Sequence, residues 1–147
     1  MKNKTYKILL VDDNETTNFI HQRLIQQLGT TYVVDVAENG QEALDYLTQQ
    51  GKYQDNTSNT ALPDIILLDI NMPIMDGWEF LDAYVKLNVF REKRVPVVIL
   101  TTSPNPQDKQ KANTFKEVVD FKNKPLTSNM LLELLENPYN NGNNSSS

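Results

Sequence analysis

The chain is predicted to fold as an α/β domain: a doubly wound, five-stranded parallel sheet with helices on both faces. Three observations carry this prediction. Short continuous apolar runs, among them Ile8-Leu9-Leu10-Val11, Ile65-Ile66-Leu67-Leu68 and Val97-Val98-Ile99-Leu100, suit strands buried on both faces of a parallel sheet. Segments of helical period separate these runs, which is the pattern of βαβ units. Several runs end in a charged or hydroxyl residue (Asp12-Asp13, Asp69, Thr101), and Lys124 lies just beyond the last. In open α/β sheets the ligand site lies outside the carboxyl ends of the strands.

The strands are placed at 6–11, 32–37, 64–69, 96–101 and 118–121. The first helix begins after Asn14 and ends at Gly29, a suitable C-terminal glycine. On it Ile20, Leu24 and Leu28 recur with Thr17 beside them, a stripe expected to pack on the sheet, with Phe19 off it and His21 on or beside it as a packed or hydrogen-bonded residue. The second helix starts near Asn39-Gly40 and carries Ala43, Leu44 and Leu47. The third follows Asp76-Gly77, read as a structural turn and helix start, and carries Trp78, Leu81 and Val85. Asn105-Pro106, an N-cap followed by proline at the first helical position, opens a polar fourth helix. The fifth starts at Thr127 or Ser128 and runs through Leu131, Leu132, Leu134 and Leu135.

A length of 147 residues makes one domain, at 1–136, with a core that needs no staples. The polar loop 48–63 exceeds the usual connection length and reads as a mobile loop or helix extension suited to a partner contact. The tail 137–147, rich in Asn and Ser, reads as disordered. Without cysteine there is no disulfide or thiolate chemistry. A net charge of −5 argues against general nucleic-acid binding. No segment reaches the apolar length of a membrane span, and the basic N-terminus lacks the features of a signal peptide, so a soluble cytoplasmic protein is expected.

Three carboxylates converging on one pocket raise one another's pKa or require a counter-ion. A hard divalent cation meets that need, Mg²⁺ taking a few oxygen ligands and keeping waters, and the Lys124 ammonium neutralises the rest as a point charge. A carboxylate is also a nucleophile able to form an aspartyl phosphate. Phosphoryl transfer asks for in-line positioning and neutralisation of charge on the equatorial oxygens. Asp69 would be the nucleophile. Mg²⁺ on Asp12, Asp13, Asp69 and a nearby carbonyl would hold one phosphoryl oxygen, with Lys124 and the Thr101 hydroxyl on the others. Each residue alone has a plainer reading. The acid pair suits a helix N-terminus, Thr101 a β-branched strand position, and Phe121 a core ring.

Four motifs in order, Leu-Leu-Val-Asp12-Asp13-Asn, Ile-Ile-Leu-Leu-Asp69-Ile-Asn-Met-Pro73-Ile-Met-Asp76-Gly77, Val-Ile-Leu-Thr101-Thr-Ser and Phe121-Lys-Asn-Lys124-Pro125, make the chain resemble a response-regulator receiver domain over about residues 5–136. The resemblance implies a flavodoxin-like (βα)5 fold and a stand-alone switch of two-component signalling rather than a turnover enzyme. A sensor histidine kinase or phosphotransfer protein would supply the phosphoryl group, and a downstream protein would read the result. It implies Asp69 as phosphoacceptor, Asp12 and Asp13 with the Asn71 carbonyl as Mg²⁺ contacts, and Thr101 with Phe121 as the switch pair. It also implies Lys124 before a proline whose peptide bond is often cis. Dimerisation on phosphorylation, a relay role and a phosphorylation-independent binding module stay open beside this reading. Thr102 departs from the small residue usual after the switch threonine, and narrows access to Asp69. Lys111 to Glu117 replaces a turn usually rich in alanine and glycine. Asn71 and Ser103 stand where the resemblance links side chains to phosphoryl lifetime. Two other readings fare worse. A metal-dependent phosphatase wants a general acid where Asn71 stands, and the acid pair would repel a flavin phosphate after strand one.

Overall fold

The computed structural model describes residues 6–29, 31–51, 62–87, 95–102 and 105–136. The expected tail, Ser103 and most of the 48–63 loop lie outside them. Ten elements alternate strictly: β1 Tyr6–Val11, α1 Glu15–Gln26, β2 Tyr32–Ala37, α2 Gly40–Thr48, β3 Ile65–Asp69, α3 Gly77–Tyr84, β4 Val97–Thr101, α4 Pro106–Ala112, β5 Val118–Asn123 and α5 Ser128–Glu136. The strands form one parallel sheet in the order β2-β1-β3-β4-β5. The chain therefore winds out from β1 in one direction and back past it in the other, and the order reverses between β1 and β3. A doubly wound sheet opens its ligand crevice at that reversal, on the carboxyl side. Val11 pairs with Leu68 and Asp69 with Leu100, so β1, β3 and β4 end nearly level.

Side chains on successive strand residues point to opposite faces, and the two faces carry separate cores. Leu9, Val11, Ile66, Leu68, Val97 and Ile99 pack with Ala43, Tyr46 and Leu47 of α2, Phe80, Leu81 and Tyr84 of α3, and Ala112 of α4. Ile8, Leu10, Ile65, Leu67, Val98 and Leu100 pack with Ile25 of α1 and Leu131, Leu134 and Leu135 of α5. Three helices thus cover one face and two the other, and β3 and β4 are buried throughout.

Side-chain oxygens satisfy the first free N–H groups of the helices, as N-caps do. Asn14 accepts from Thr17 N–H at 2.8 Å, Asn39 from Glu42 at 2.9 Å and Asn105 from Gln107 at 2.9 Å. At α3 the cap is reciprocal: Asp76 Oδ1 accepts from Glu79 N–H at 2.9 Å, and Glu79 Oε1 accepts from Asp76 N–H at 3.0 Å.

The element bounds differ slightly from the sequence reading. β3 and β4 each start one residue later, β5 runs on to Asn123, and α1 stops at Gln26. The substantive correction is the inward face of α1. Its buried residues are Asn18, His21 and Ile25, whereas the expected stripe residue Ile20 is 48% exposed. Leu24 and Leu28 are only partly buried against the core. The helix is rotated from its most apolar orientation because Asn18 Nδ2 donates to the main-chain oxygen of Asp12 at 2.8 Å. A buried hydrogen bond, invisible to a hydropathy pattern, sets the face. Phe19 is exposed and His21 is buried, as read from the sequence.

Candidate functional site

At the carboxyl edge of the sheet, β1 delivers Asp12 and Asp13, β3 ends in Asp69, β4 ends in Thr101, and Lys124 follows β5. One carboxylate oxygen from each of Asp12, Asp13 and Asp69 lies within 4.8 Å of the others. Lys124 Nζ donates to Asp12 Oδ2 at 2.5 Å and lies 3.2 Å from Asp69 Oδ1. Asp12, Asp69 and Thr101 are buried, while Asp13 and Asn71 are exposed. The site therefore has a dry floor and a wet rim.

Each floor residue has a structural reason to be there. Asp12 continues the ladder through its N–H to the Ala37 carbonyl at 3.0 Å, and its Oδ1 accepts from Asn14 N–H at 2.9 Å. Lys124 N–H donates to the Thr101 carbonyl at 2.7 Å, which registers the lysine against the end of β4. The Lys124–Pro125 peptide is cis. Behind Asp69, the Gly77 N–H donates to the Ile70 carbonyl at 2.8 Å. A Cβ at Gly77 would stand 2.6 Å from the Asp69 carbonyl oxygen, so only glycine lets α3 start so close to the strand end. The turn reading of Asp76-Gly77 holds, and this contact supplies its reason.

Charges in this space perturb one another. Burial first, and the Asp12 charge second, push the Asp69 carboxyl above its usual value, with Lys124 pulling the other way. Burial pulls the Lys124 ammonium down, but the bond to Asp12 and the charges of Asp12 and Asp69 outweigh it, so the net shift is upward. Burial and then the Lys124 charge hold the His21 imidazole below its usual value against the opposing pull of Asp12. The result is a charged lysine between Asp12 and Asp69 with Asp13 beside them, so three carboxylates share a single ammonium. An oxygen-only donor set of this kind fits a hard divalent cation. A cleft of about 190 Å³, lined by Thr17, Ile20, His21, Thr102, Lys124 and Pro125, opens beside the lysine.

Phe121 lies in β5, half-buried, and packs against the core on the α2–α4 face. It also borders a surface groove of about 580 Å³ with Asn105, Pro106, Lys109, Lys122, Asn123 and Met130. The sequence reading brought Asp12, Asp13, Asp69, Thr101 and Lys124 to one edge, and the structure places them there. It did not find Asn18. The available signal was a polar residue in phase with His21 and Ile25 on α1.

These features define a doubly wound α/β domain with an acidic, lysine-bridged site at the carboxyl edge of its sheet, the class that includes the aspartyl-phosphate receivers. Residues 8–136 match the response regulator receiver domain, and the chain belongs to that family, a module of two-component signalling. It is 41% identical over 105 residues to the response regulator Rcp1 of Synechocystis sp., a match covering 69% of this chain and 65% of Rcp1, just under two thirds of that protein's length. The Mn(2+)-bound form of Rcp1 superposes with a TM-score of 0.71 at 29% identity, over 90% of this chain and 91% of that one. The phosphorylated cyanobacterial phytochrome response regulator RcpA superposes with a TM-score of 0.67 at 33% identity, over 89% of each chain. Among the described residues, no helix is long and apolar enough to cross a membrane.

Proposed function

We propose that this chain is a cytoplasmic receiver whose Asp69 takes a phosphoryl group from the phosphohistidine of a sensor histidine kinase or phosphotransfer protein. The observation that carries this reading is Lys124 Nζ set between Asp12 Oδ2 and Asp69 Oδ1, beside three clustered carboxylates. A carboxylate oxygen of Asp69 attacks phosphorus in line as the P–N bond to the donor imidazole breaks, and the bonding pair leaves with the ring nitrogen. Asp12, Asp13, Asp69 and the main-chain carbonyl of Asn71 would hold Mg²⁺, whose contribution when bound is to offset charge on one phosphoryl oxygen. Lys124 neutralises a second oxygen, and the Thr101 hydroxyl donates to a third. The Mn(2+)-bound Rcp1 and phosphorylated RcpA neighbours support this assignment by analogy.

Thr101 and Phe121 form the switch. The hydroxyl moves toward the phosphoryl group and the ring turns inward, which reshapes the groove that Phe121 borders between α4, β5 and α5. That groove is where a downstream protein binds. Thr102, exposed at the rim, restricts the approach of small donors. The domain is 1–136, followed by a tail at 137–147.

Intact mass after incubation with Mg²⁺ and a small phosphodonor tests the reading, with Asp69→Ala in parallel. A Mg²⁺-dependent gain of one phosphoryl group, absent in the variant and labile at alkaline pH, is expected. Failure of both small donors and a panel of histidine kinases to label the wild-type chain would overturn it.

A further inference from the structure

Asn18, one of two buried polar residues of α1 with His21, has no task in the proposed chemistry. It is 5% exposed. Its Nδ2 donates to the Asp12 carbonyl, while its Oδ1 is buried and meets no donor among the described residues. Rotating the amide to exchange the two atoms would set Oδ1 against the Asp12 carbonyl oxygen, so the bond fixes the orientation. An unmet buried acceptor costs stability, and an aliphatic side chain would avoid that cost, as Ile25 does two turns further along the same face. What an aliphatic residue cannot do is hold the Asp12 carbonyl.

That carbonyl belongs to the peptide joining Asp12 to Asp13. Fixing its plane fixes the direction in which Asp13 leaves the strand, and neighbouring residues reach one site only where the strand has ended. Asp12 is held independently by Lys124 and by Asn14 N–H. The Asp13 carboxylate is exposed and has no hydrogen bond or ion pair among the described residues, so its direction comes from the backbone.

We infer that Asn18 is a positioning residue that sets divalent-cation affinity by locking the Asp12–Asp13 peptide. The inference rests on the proposed metal site. Groups that orient ligands without touching the metal typically contribute about 10–100-fold in affinity. Asn18→Leu removes the donor and the unmet acceptor together while keeping the number and branching of the side-chain heavy atoms. Calorimetric titration with Mg²⁺ and with Mn²⁺ should show affinity roughly tenfold weaker than wild type, while the denaturation midpoint without metal stays or rises. With a small phosphodonor, the Mg²⁺ concentration for half-maximal rate rises and the rate at saturating Mg²⁺ is retained. Asn18→Ser, smaller and still polar, should shift affinity the same way if the leucine variant folds poorly.

Wild-type affinity in both variants would overturn the positioning role alone. Loss of metal-free stability in proportion to the loss of affinity would do the same, by making Asn18 a structural residue. A wild-type chain that binds neither cation would instead remove the metal site, and this inference with it.

Discussion

Asp12 and Asp69 end neighbouring strands and face the same lysine, but the turns that follow them are held by different means. After β1, side chains hold the chain: Asn14 caps α1, Asp12 accepts from Asn14 N–H, and Asn18 grips the Asp12 carbonyl. After β3, the main chain does most of the holding. Gly77 N–H donates to Ile70, Gly40 N–H donates to the Met75 carbonyl at 2.9 Å, and Met75 N–H closes on Pro73 at 2.7 Å. The first turn can change by substituting one polar group. The second is fixed by close backbone approach, where an added carbon at Gly77 would meet Asp69 and Ile70 and one at Gly40 would meet Met75. The difference predicts that the first turn tunes the site and that the second supports both site and fold.

Substitution of the glycine should have the largest effect. Gly77→Ala puts a methyl group against the Asp69 carbonyl and Ile70, and overpacking against backbone should cost about 3 kcal/mol. Urea unfolding checks this. A variant as stable as wild type would mean that α3 moves freely against β3, and the contrast between the turns would be lost.

Next is loss of a cap on the other turn. Asn14→Ala should cost about 1 kcal/mol and leave cation affinity at the wild-type level, because its main-chain N–H still reaches Asp12. Calorimetry and unfolding on one preparation separate the two effects.

The third prediction concerns charge. The folded-state pKa of Asp69 is raised, so the folded chain binds that proton more readily than the unfolded chain. The stability this contributes is fully present below the unfolded value of 3.8 and lost as pH rises through the raised folded value. Without metal, Asp69→Asn should therefore be more stable than wild type at neutral pH, with the gap closing as pH falls toward 3.8. Melting temperatures across that range measure it, and a gap that widens on acidification contradicts the assignment.

The smallest effect should come from Ile74, which is 82% exposed and has a φ of +69°. With Met75 N–H closing on Pro73, it sits at the centre of the strained form of γ-turn, which a β-branched residue adopts at a cost. Ile74→Gly should stabilise the chain by up to about 1 kcal/mol, the strain relieved minus the entropy glycine adds to the unfolded chain. A loss of stability would show that the side chain makes contacts that offset the strain.

The two turns were also unequally legible in the sequence. Asp76-Gly77 could be read as a turn because glycine and a cap residue announce one locally. The strands were legible because β3 and β4, buried on both faces, leave unbroken apolar runs; their ends shifted by a residue or two because ladder ends depend on partners. The α1 face was not legible. Its orientation comes from Asn18 reaching a carbonyl six residues earlier, and an apolar count favoured Ile20 instead. Likewise the acids and the lysine could be assigned to one edge from strand ends alone. That Lys124 bridges Asp12 and Asp69 needed the relative heights of β1, β3 and β5.

Trp78, the single tryptophan of the chain, lies in the first turn of α3, one residue beyond Gly77. Its ring stacks on Phe115, just past α4, at 6.3 Å, and the Lys111 ammonium sits 4.8 Å from its centroid. Indole emission responds to the charge and packing around the ring. The native chain therefore carries an unlabelled optical probe that links the α3 start behind Asp69 to the end of α4. Stopped-flow emission on adding cation or phosphodonor would time any rearrangement between them in milliseconds.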